Sequence, residues 1–305
     1  MPTDLTLEHL CKSYPQTTGG LFPVLEDVCL HVEKGAFVTV LGGNGYGKST
    51  LLRIISGMEQ PTQGRILLNG QAVRQRLGRV GLVSQEVDLL PWRTTLDNVA
   101  FGLELRGMPQ AKREHLALAY LRAFGLEKFS ACYPRELSGG MRQKVAIART
   151  LVTAPDIILM DEPFSALDYQ TRTSLQCFLL QLWAKLRETI VFVTHDVEEA
   201  VFLSDYIVLL SPIPAHVVEI IPVPLARPRV RSAAATAALC RQVLEKYGSS
   251  SCVDNDEMCR ALEILEAARH SEGESQPEPS MPQAEGSAAC AVCTSSAPPH
   301  QRVQP

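Results

Sequence analysis

The chain has 305 residues, enough for one large domain with extensions, and 46% hydrophobic against 20% charged residues is the composition of a folded globule. A formal net charge of -4 supplies no general attraction for nucleic acid or an anionic lipid surface. No stretch offers the roughly 18–20 uncharged apolar residues of a spanning helix, Asp4 and Glu8 stand where a signal peptide would be basic and then apolar, and the nine cysteines, Cys11, Cys29 and Cys177 among them, read as buried reduced thiols of a cytosolic protein.

In chain order, Leu5–Leu10 and Val24–Val32 read as strands of a small antiparallel sheet, separated by a turn-rich stretch from Pro15 to Pro23. Ala36–Leu41 is a short apolar run that ends in glycines and is followed by a helix-compatible stretch from Lys48 to Gly57, the strand, tight loop and helix that open an α/β unit. From Thr95 to Leu151 the sequence is mostly helix-forming, with breaks at Gly107–Pro109 and Tyr133–Pro134, which predicts an inserted helical subdomain over about 91–150. Asp156–Met160 and Thr189–Val193 are continuous apolar runs of the kind that parallel strands buried on both faces carry, with a helix over Tyr169–Arg187 between them and a last strand at Ile207–Leu210. The predicted fold is therefore an α/β core with a parallel sheet, an N-terminal antiparallel subdomain and an inserted helical one, over 1–228. An extension over 229–305 follows, with helices expected at Ser232–Lys246 and Asp254–Arg269 and a Ser/Pro/Glu-rich end from Ser271 whose composition is that of disorder. There is no internal repeat, so the chain holds one copy of this unit.

Gly42-Gly43-Asn44-Gly45-Tyr46-Gly47-Lys48-Ser49-Thr50 matches G-x-x-x-x-G-K-[ST] in the setting where that pattern has mechanical meaning, after a strand and at the start of a helix. Backbone N–H groups of the loop and the helix N-terminus cradle phosphates, Lys48 is expected at the β- and γ-phosphates, and Ser49 is expected to ligate Mg²⁺. Asp161, after the apolar run 156–160, stands where a parallel sheet delivers side chains to a ligand, a second expected Mg²⁺ ligand. Glu162 follows, placed to act as general base on the attacking water. A Gly-rich turn and a strand-end turn are the competing structural explanations, and the pairing of the two motifs weighs against both and predicts a P-loop NTPase core.

Leu137-Ser-Gly-Gly-Met-Arg-Gln-Lys-Val-Ala-Ile-Ala-Arg149 resembles the signature motif of ATP-binding cassette proteins, and the resemblance covers about residues 4–225. Ser138 and the Gly139 and Gly140 amides at a helix start make a second anion site, which in that family closes on nucleotide held by another subunit. The resemblance implies ATP and Mg²⁺ as ligands and assigns Gln85 to the Q-loop that touches Mg²⁺ or water, Ser165–Asp168 to the D-loop, His195 to the switch histidine at the γ-phosphate, and Tyr14 to the aromatic that stacks on adenine. It departs at Asn44 and Tyr46, where related importers often carry Ser and Cys; both positions are expected to offer mainly backbone.

Leu89–Gly102 and His195–Phe202 resemble the importer branch that handles nitrate, sulfonates and taurine. That branch implies a homodimer of cassettes or a heterodimer with a second one, integral membrane permease subunits, an extracytoplasmic binding protein acting indirectly, no nucleic acid, and a peripheral position on the cytoplasmic face of the inner membrane. An exporter cassette shares every catalytic residue, and a soluble cassette ATPase of translation or DNA repair remains a second alternative. Cys290 and Cys293 make a zinc site conceivable, without a second ligand pair at matching spacing.

Overall fold

A computed structural model of the chain describes residues 4–17, 19–72 and 80–248, all within one compact unit, Met1–Asp256. Strands β1 (Leu5–Pro15) and β2 (Leu21–Val32) form an antiparallel hairpin whose alternate residues, Leu5 and Leu7 on one strand and Val28, Leu30 and Val32 on the other, face inward, as a half-buried sheet requires. The turn-rich stretch expected at 15–23 contracts to the hairpin tip, where Gln16 N–H donates to Gly20 O at 3.1 Å, and Leu21–Pro23 belong to the strand. Pro23 is tolerated because β2 is an edge strand in the order β2-β1-β4-β5. Strands β4 (Gln63–Leu68) and β5 (Gln71–Ala72) complete this sheet; Gln63–Arg65 and β5 are exposed and the apolar run Ile66–Leu68 is only three residues long, so the sequence reading assigned no strand there. The cysteines of described residues are free, but Cys11 is half-buried and Cys29 and Cys177 are exposed, where the sequence predicted burial. Cys29 lies between inward-facing Val28 and Leu30 on the edge strand, so its side chain falls on the outer face.

The central sheet has the order β10-β9-β3-β8-β7-β6. Strands β3 (Phe37–Leu41), β6 (Val80–Val83), β7 (Ile157–Asp161), β8 (Thr189–Thr194) and β9 (Tyr206–Leu210) run parallel, and β10 (Val217–Pro222) closes the edge antiparallel to β9. Both faces are covered, which is why these strands read as unbroken apolar runs. Phe37, Ile158, Met160, Ile190 and Phe192 pack towards helices α2 (Thr95–Leu105), α3 (Gln110–Ala123), α4 (Gly139–Leu151) and α5 (Tyr169–Leu186). Their neighbours Val38, Val40, Ile157, Leu159, Val191 and Val193 face the antiparallel sheet and α1 (Lys48–Ile55). The helical break expected at 107–109 is real: Gly107 has φ 71° and Pro109 caps α3.

The expected last strand is β9; β10, a Val/Ile-rich segment interrupted by Glu219 and lying between Pro214 and Pro224, was not foreseen. Beyond 228 the chain continues on the same core. Arg229, 8% exposed, donates to the carbonyls of Val201, Phe202 and Ser204 at the end of α6 (Val197–Leu203), and a helix α7 over 234–248, matching the expectation at 232–246, buries Val243 against Leu41, Val197 and Ile207. The helix expected at 254–269, the Ser/Pro/Glu-rich end and the Cys290/Cys293 pair lie outside the described residues. Among the described residues no helix is long and apolar enough to cross a membrane.

Candidate nucleotide site

Strand β3 ends at Leu41 in the middle of the parallel sheet, and the chain turns through the glycine loop into α1. Gly45 and Gly47 hold φ of 82° and 77°, a left-handed backbone that side chains resist. Tyr46 is 5% exposed and packs beneath the loop: a Cβ added at Gly43 would stand 2.7 Å from its ring. The expectation that position 46 offers mainly backbone is thus incomplete, since its ring is the floor on which Gly42 and Gly43 lie. Asn44 is exposed at the loop tip.

Adjacent parallel strands end at the same edge, so β7 and β8 deliver Asp161, Glu162 and His195 beside the loop. Lys48, 5% exposed, donates Nζ to Gly42 O at 2.9 Å and Gly43 O at 2.8 Å and lies 3.3 Å from Glu162 Oε1. The other oxygen of Glu162 is 3.1 Å from His195 Nδ1. Glu162 adopts φ 41°, strained for a residue with a Cβ, and its N–H is tied to Val193 O at 3.0 Å. Burial pushes the Asp161 carboxyl above its ordinary range, against the opposing pull of a hydrogen bond with Ser49. Asn44, Gly45, Gly47, Lys48, Ser49, Thr50, Gln85, Glu162, Ser165 and His195 line one open cleft. Ser165 is part of this lining although the sequence placed it only at the start of the D-loop stretch, with no signal beyond its position three residues after Glu162.

Tyr14 is not among those lining residues. It sits near the end of β1 opposite Phe22, with Lys12 Nζ 4.9 Å from its ring centroid. Burial and a hydrogen bond to Glu59 raise its phenol, and a second hydrogen bond joins it to Thr50 on α1.

Ser138, Gly140, Met141, Lys144, Gln170, Thr171, Ser174 and Leu175 line a second cleft that shares no residue with the first. Ser138 caps α4, accepting from Met141 N–H at 3.3 Å, and Asp168 caps α5, accepting from Gln170 and Thr171 N–H at 3.1 Å each. A hydrogen bond with the Thr171 side chain, ahead of those backbone bonds, holds the Asp168 carboxyl below its ordinary range. A Cβ at Gly140 would lie 2.5 Å from Thr171 Cγ2, so that glycine lets α4 approach α5 closely. Lys144, one turn beyond Met141 on the same helix face, adds a cation that the sequence reading passed over.

A phosphate loop at the C-terminal edge of a parallel sheet, with an acidic strand end and a histidine facing it, defines a P-loop nucleotide hydrolase with an inserted helical subdomain. A family model described as ABC transporter matches residues 25–165. An uncharacterized ABC transporter ATP-binding protein of Methanocaldococcus jannaschii is 48% identical over 232 residues, 76% of this chain and 86% of that protein. The nitrate import ATP-binding protein NrtD of Synechocystis sp. is 47% identical over 198 residues, 65% of this chain and 74% of that protein. The taurine import ATP-binding protein TauB of Rhizobium johnstonii is 44% identical over 214 residues, 70% and 82% respectively. Among solved structures, a dimeric post-hydrolysis state of an ATP-binding cassette bound to ADP and Pi superposes with a TM-score of 0.66 at 31% identity, covering 73% of this chain and 100% of that one. The chain belongs to the ABC transporter family and is an ATP-binding, ATP-hydrolysing member of it.

Proposed function

We propose that this chain is the ATPase subunit of an importer for a small anion such as nitrate, a sulfonate or taurine, working as a dimer of cassettes beneath separate membrane subunits. The observation that carries the mechanism is the separation of the two clefts: Lys48, Glu162 and His195 converge on one, whereas Ser138 and Gly140 line another. One chain therefore presents two half-sites, and a complete site needs a second cassette, homologous or identical. The names of the nitrate and taurine import relatives support the cargo class.

In this reading the loop amides from Gly42 to Gly47 and the start of α1, with Ser49 and Thr50, hold the phosphates, and Lys48 leaves its carbonyl partners for the β- and γ-phosphates. A hydroxyl at Ser49 bonded to a half-buried Asp161 carboxylate, with Gln85 in the Ser49 cleft, is an all-oxygen donor set that fits a hard divalent cation such as Mg²⁺. Mg²⁺, when bound, supplies positive charge to the phosphate oxygens. Glu162 takes a proton from the attacking water, and His195, held at its other oxygen, steadies that carboxylate and the γ-phosphate. Ser138 with the Gly139 and Gly140 amides closes on the nucleotide of the other subunit, beside Asp168, and Tyr14 stacks on adenine once freed from Glu59. The domain limits follow the same reading, a cassette over 1–228 and an extension beyond it.

Leu89–Phe101 receives the membrane subunit, and Trp92, 72% exposed beside exposed Pro91, is its anchor. The proposed position is peripheral, on the cytoplasmic face of the membrane, with a binding protein acting indirectly and no nucleic-acid partner. The test is reconstitution of the chain with its membrane subunits in vesicles: ATP hydrolysis stimulated by a nitrate-, sulfonate- or taurine-loaded binding protein supports the reading, and stimulation only by a substrate leaving from the cassette side reverses its direction.

A further inference from the structure

We infer that half-buried Arg231 and buried Gln176 and Glu199 form a relay through which the chain beyond β10 positions His195 against Glu162. The inference rests on the reading of His195 as a residue of the hydrolytic site.

The loop carrying His195 is braced on both sides by one hydroxyl. Thr194, 2% exposed, donates Oγ1 to Glu199 Oε2 at 2.7 Å and accepts from Asp196 N–H at 3.1 Å, so its orientation controls the backbone on either side of His195. Glu199 lies on the first turns of α6 and is 5% exposed. A carboxylate buried to that degree is stable only if its oxygens have donors. Its second oxygen, Oε1, accepts from Gln176 Nε2 of α5 at 2.8 Å.

A glutamine amide can present either its NH₂ or its oxygen to a neighbour, and only the NH₂ suits a carboxylate. Arg231 decides which one Glu199 meets. Its Nη2 donates to Gln176 Oε1, and a guanidinium, which has no acceptor, fixes the amide with the oxygen towards Arg231 and the nitrogen towards Glu199. The guanidinium itself is held 3.9 Å over the Phe202 ring of α6. The same stretch is fastened upstream by Arg229 on the α6 carbonyls, and by Arg227 on Asp205 and 4.3 Å over the Trp183 ring. A strap outside the sheet thus sets the polarity of a chain of hydrogen bonds that ends beside His195. A brace that merely held α5 on α6 would not need an oriented amide.

The experiment uses the full chain and compares Arg231→Ala, Arg231→Lys and Gln176→Leu, each alone and combined with His195→Ala. ATP turnover, the KM for ATP, binding of a fluorescent ATP analogue and the melting temperature are measured together. Arg231→Ala and Gln176→Leu are expected to lower kcat about 3- to 10-fold, the rate equivalent of one net hydrogen bond. KM and analogue binding should stay within about 2-fold, since that rate loss leaves the phosphate loop untouched. Arg231→Lys, which can still donate to Gln176, is expected to recover part of the loss, and neither lesion should lower kcat further once His195 is Ala. Losses that multiply with that of His195→Ala, or an unchanged kcat in both single variants, would overturn the relay alone. An unchanged kcat in His195→Ala would overturn the site reading and the relay with it.

Discussion

Glu162 holds a left-handed backbone with its oxygens shared between Lys48 and His195, so its carboxylate is aimed before any ligand arrives. Replacing it by Gln keeps the shape and removes the base. Turnover by purified Glu162→Gln protein should fall by roughly 10² to 10⁴, with ATP still bound, whereas Lys48→Ala should weaken binding itself; filter binding and phosphate release separate the two. Asp161 permits a stability test with a defined sign. Burial raises its folded pKa above the ordinary 3.8, so its contribution to stability is fully present below that value and is lost as pH rises through the folded pKa. Above its folded pKa the ionised Asp161 therefore costs stability in the nucleotide-free protein. Asp161→Asn should raise the melting temperature at pH 7.5, with the gain shrinking as the pH falls into the acid range and with hydrolysis abolished. A lower melting temperature at pH 7.5 would contradict the assignment of burial as the dominant cause.

At the scale of elements, the two tryptophans make a matched pair. Trp92 precedes α2 and is 72% exposed, so it does not pack the helical subdomain onto the core. Trp183 on α5 is 3% exposed, meets Phe37 edge-on at 6.0 Å and lies under Arg187 and Arg227. Trp183→Ala should cost roughly 3–5 kcal/mol of folding stability in a chemical-denaturation curve. Trp92→Ala should change it by no more than about 0.5 kcal/mol, keep ATP binding, and lose co-purification with the membrane subunits. Retained co-purification would move the docking site elsewhere. Legibility in the sequence divides along the same line: both tryptophans occur in mixed apolar stretches, and only the position of α2 and α5 against the sheet decides which one is covered.

For the whole molecule, the separation of the two clefts predicts complementation. In a heterodimer of Ser138→Arg and Lys48→Ala chains, one composite site carries both lesions and the other carries neither. Partial ATP hydrolysis should therefore return on mixing, although each homodimer is inactive. No recovery in heterodimers verified by dual-tag purification would show that the signature serine acts within its own chain.

What the amino-acid sequence determined by itself was whatever depends on neighbours along the chain. The phosphate loop is nine consecutive residues, the acidic strand end is an apolar run followed by Asp161 and Glu162, and the cap of α4 is Ser138 before two glycines; each is local chemistry that a linear pattern carries. The sandwiched strands were legible for the same reason, since burial on both faces writes itself as an unbroken apolar run. Strands β4, β5 and β10 were not: β4 offers only three consecutive apolar residues, Ile66–Leu68, and is fixed by pairing with β1 far upstream, β5 is two exposed residues, and Glu219 interrupts the Val/Ile run of β10. Tertiary structure alone placed Tyr46 under its own loop, turned Cys29 outward, and brought Arg231, Gln176 and Glu199 together across separations of 55 and 23 residues. Long-range hydrogen bonds and side-chain packing have no period in the sequence, so only the folded chain decides them.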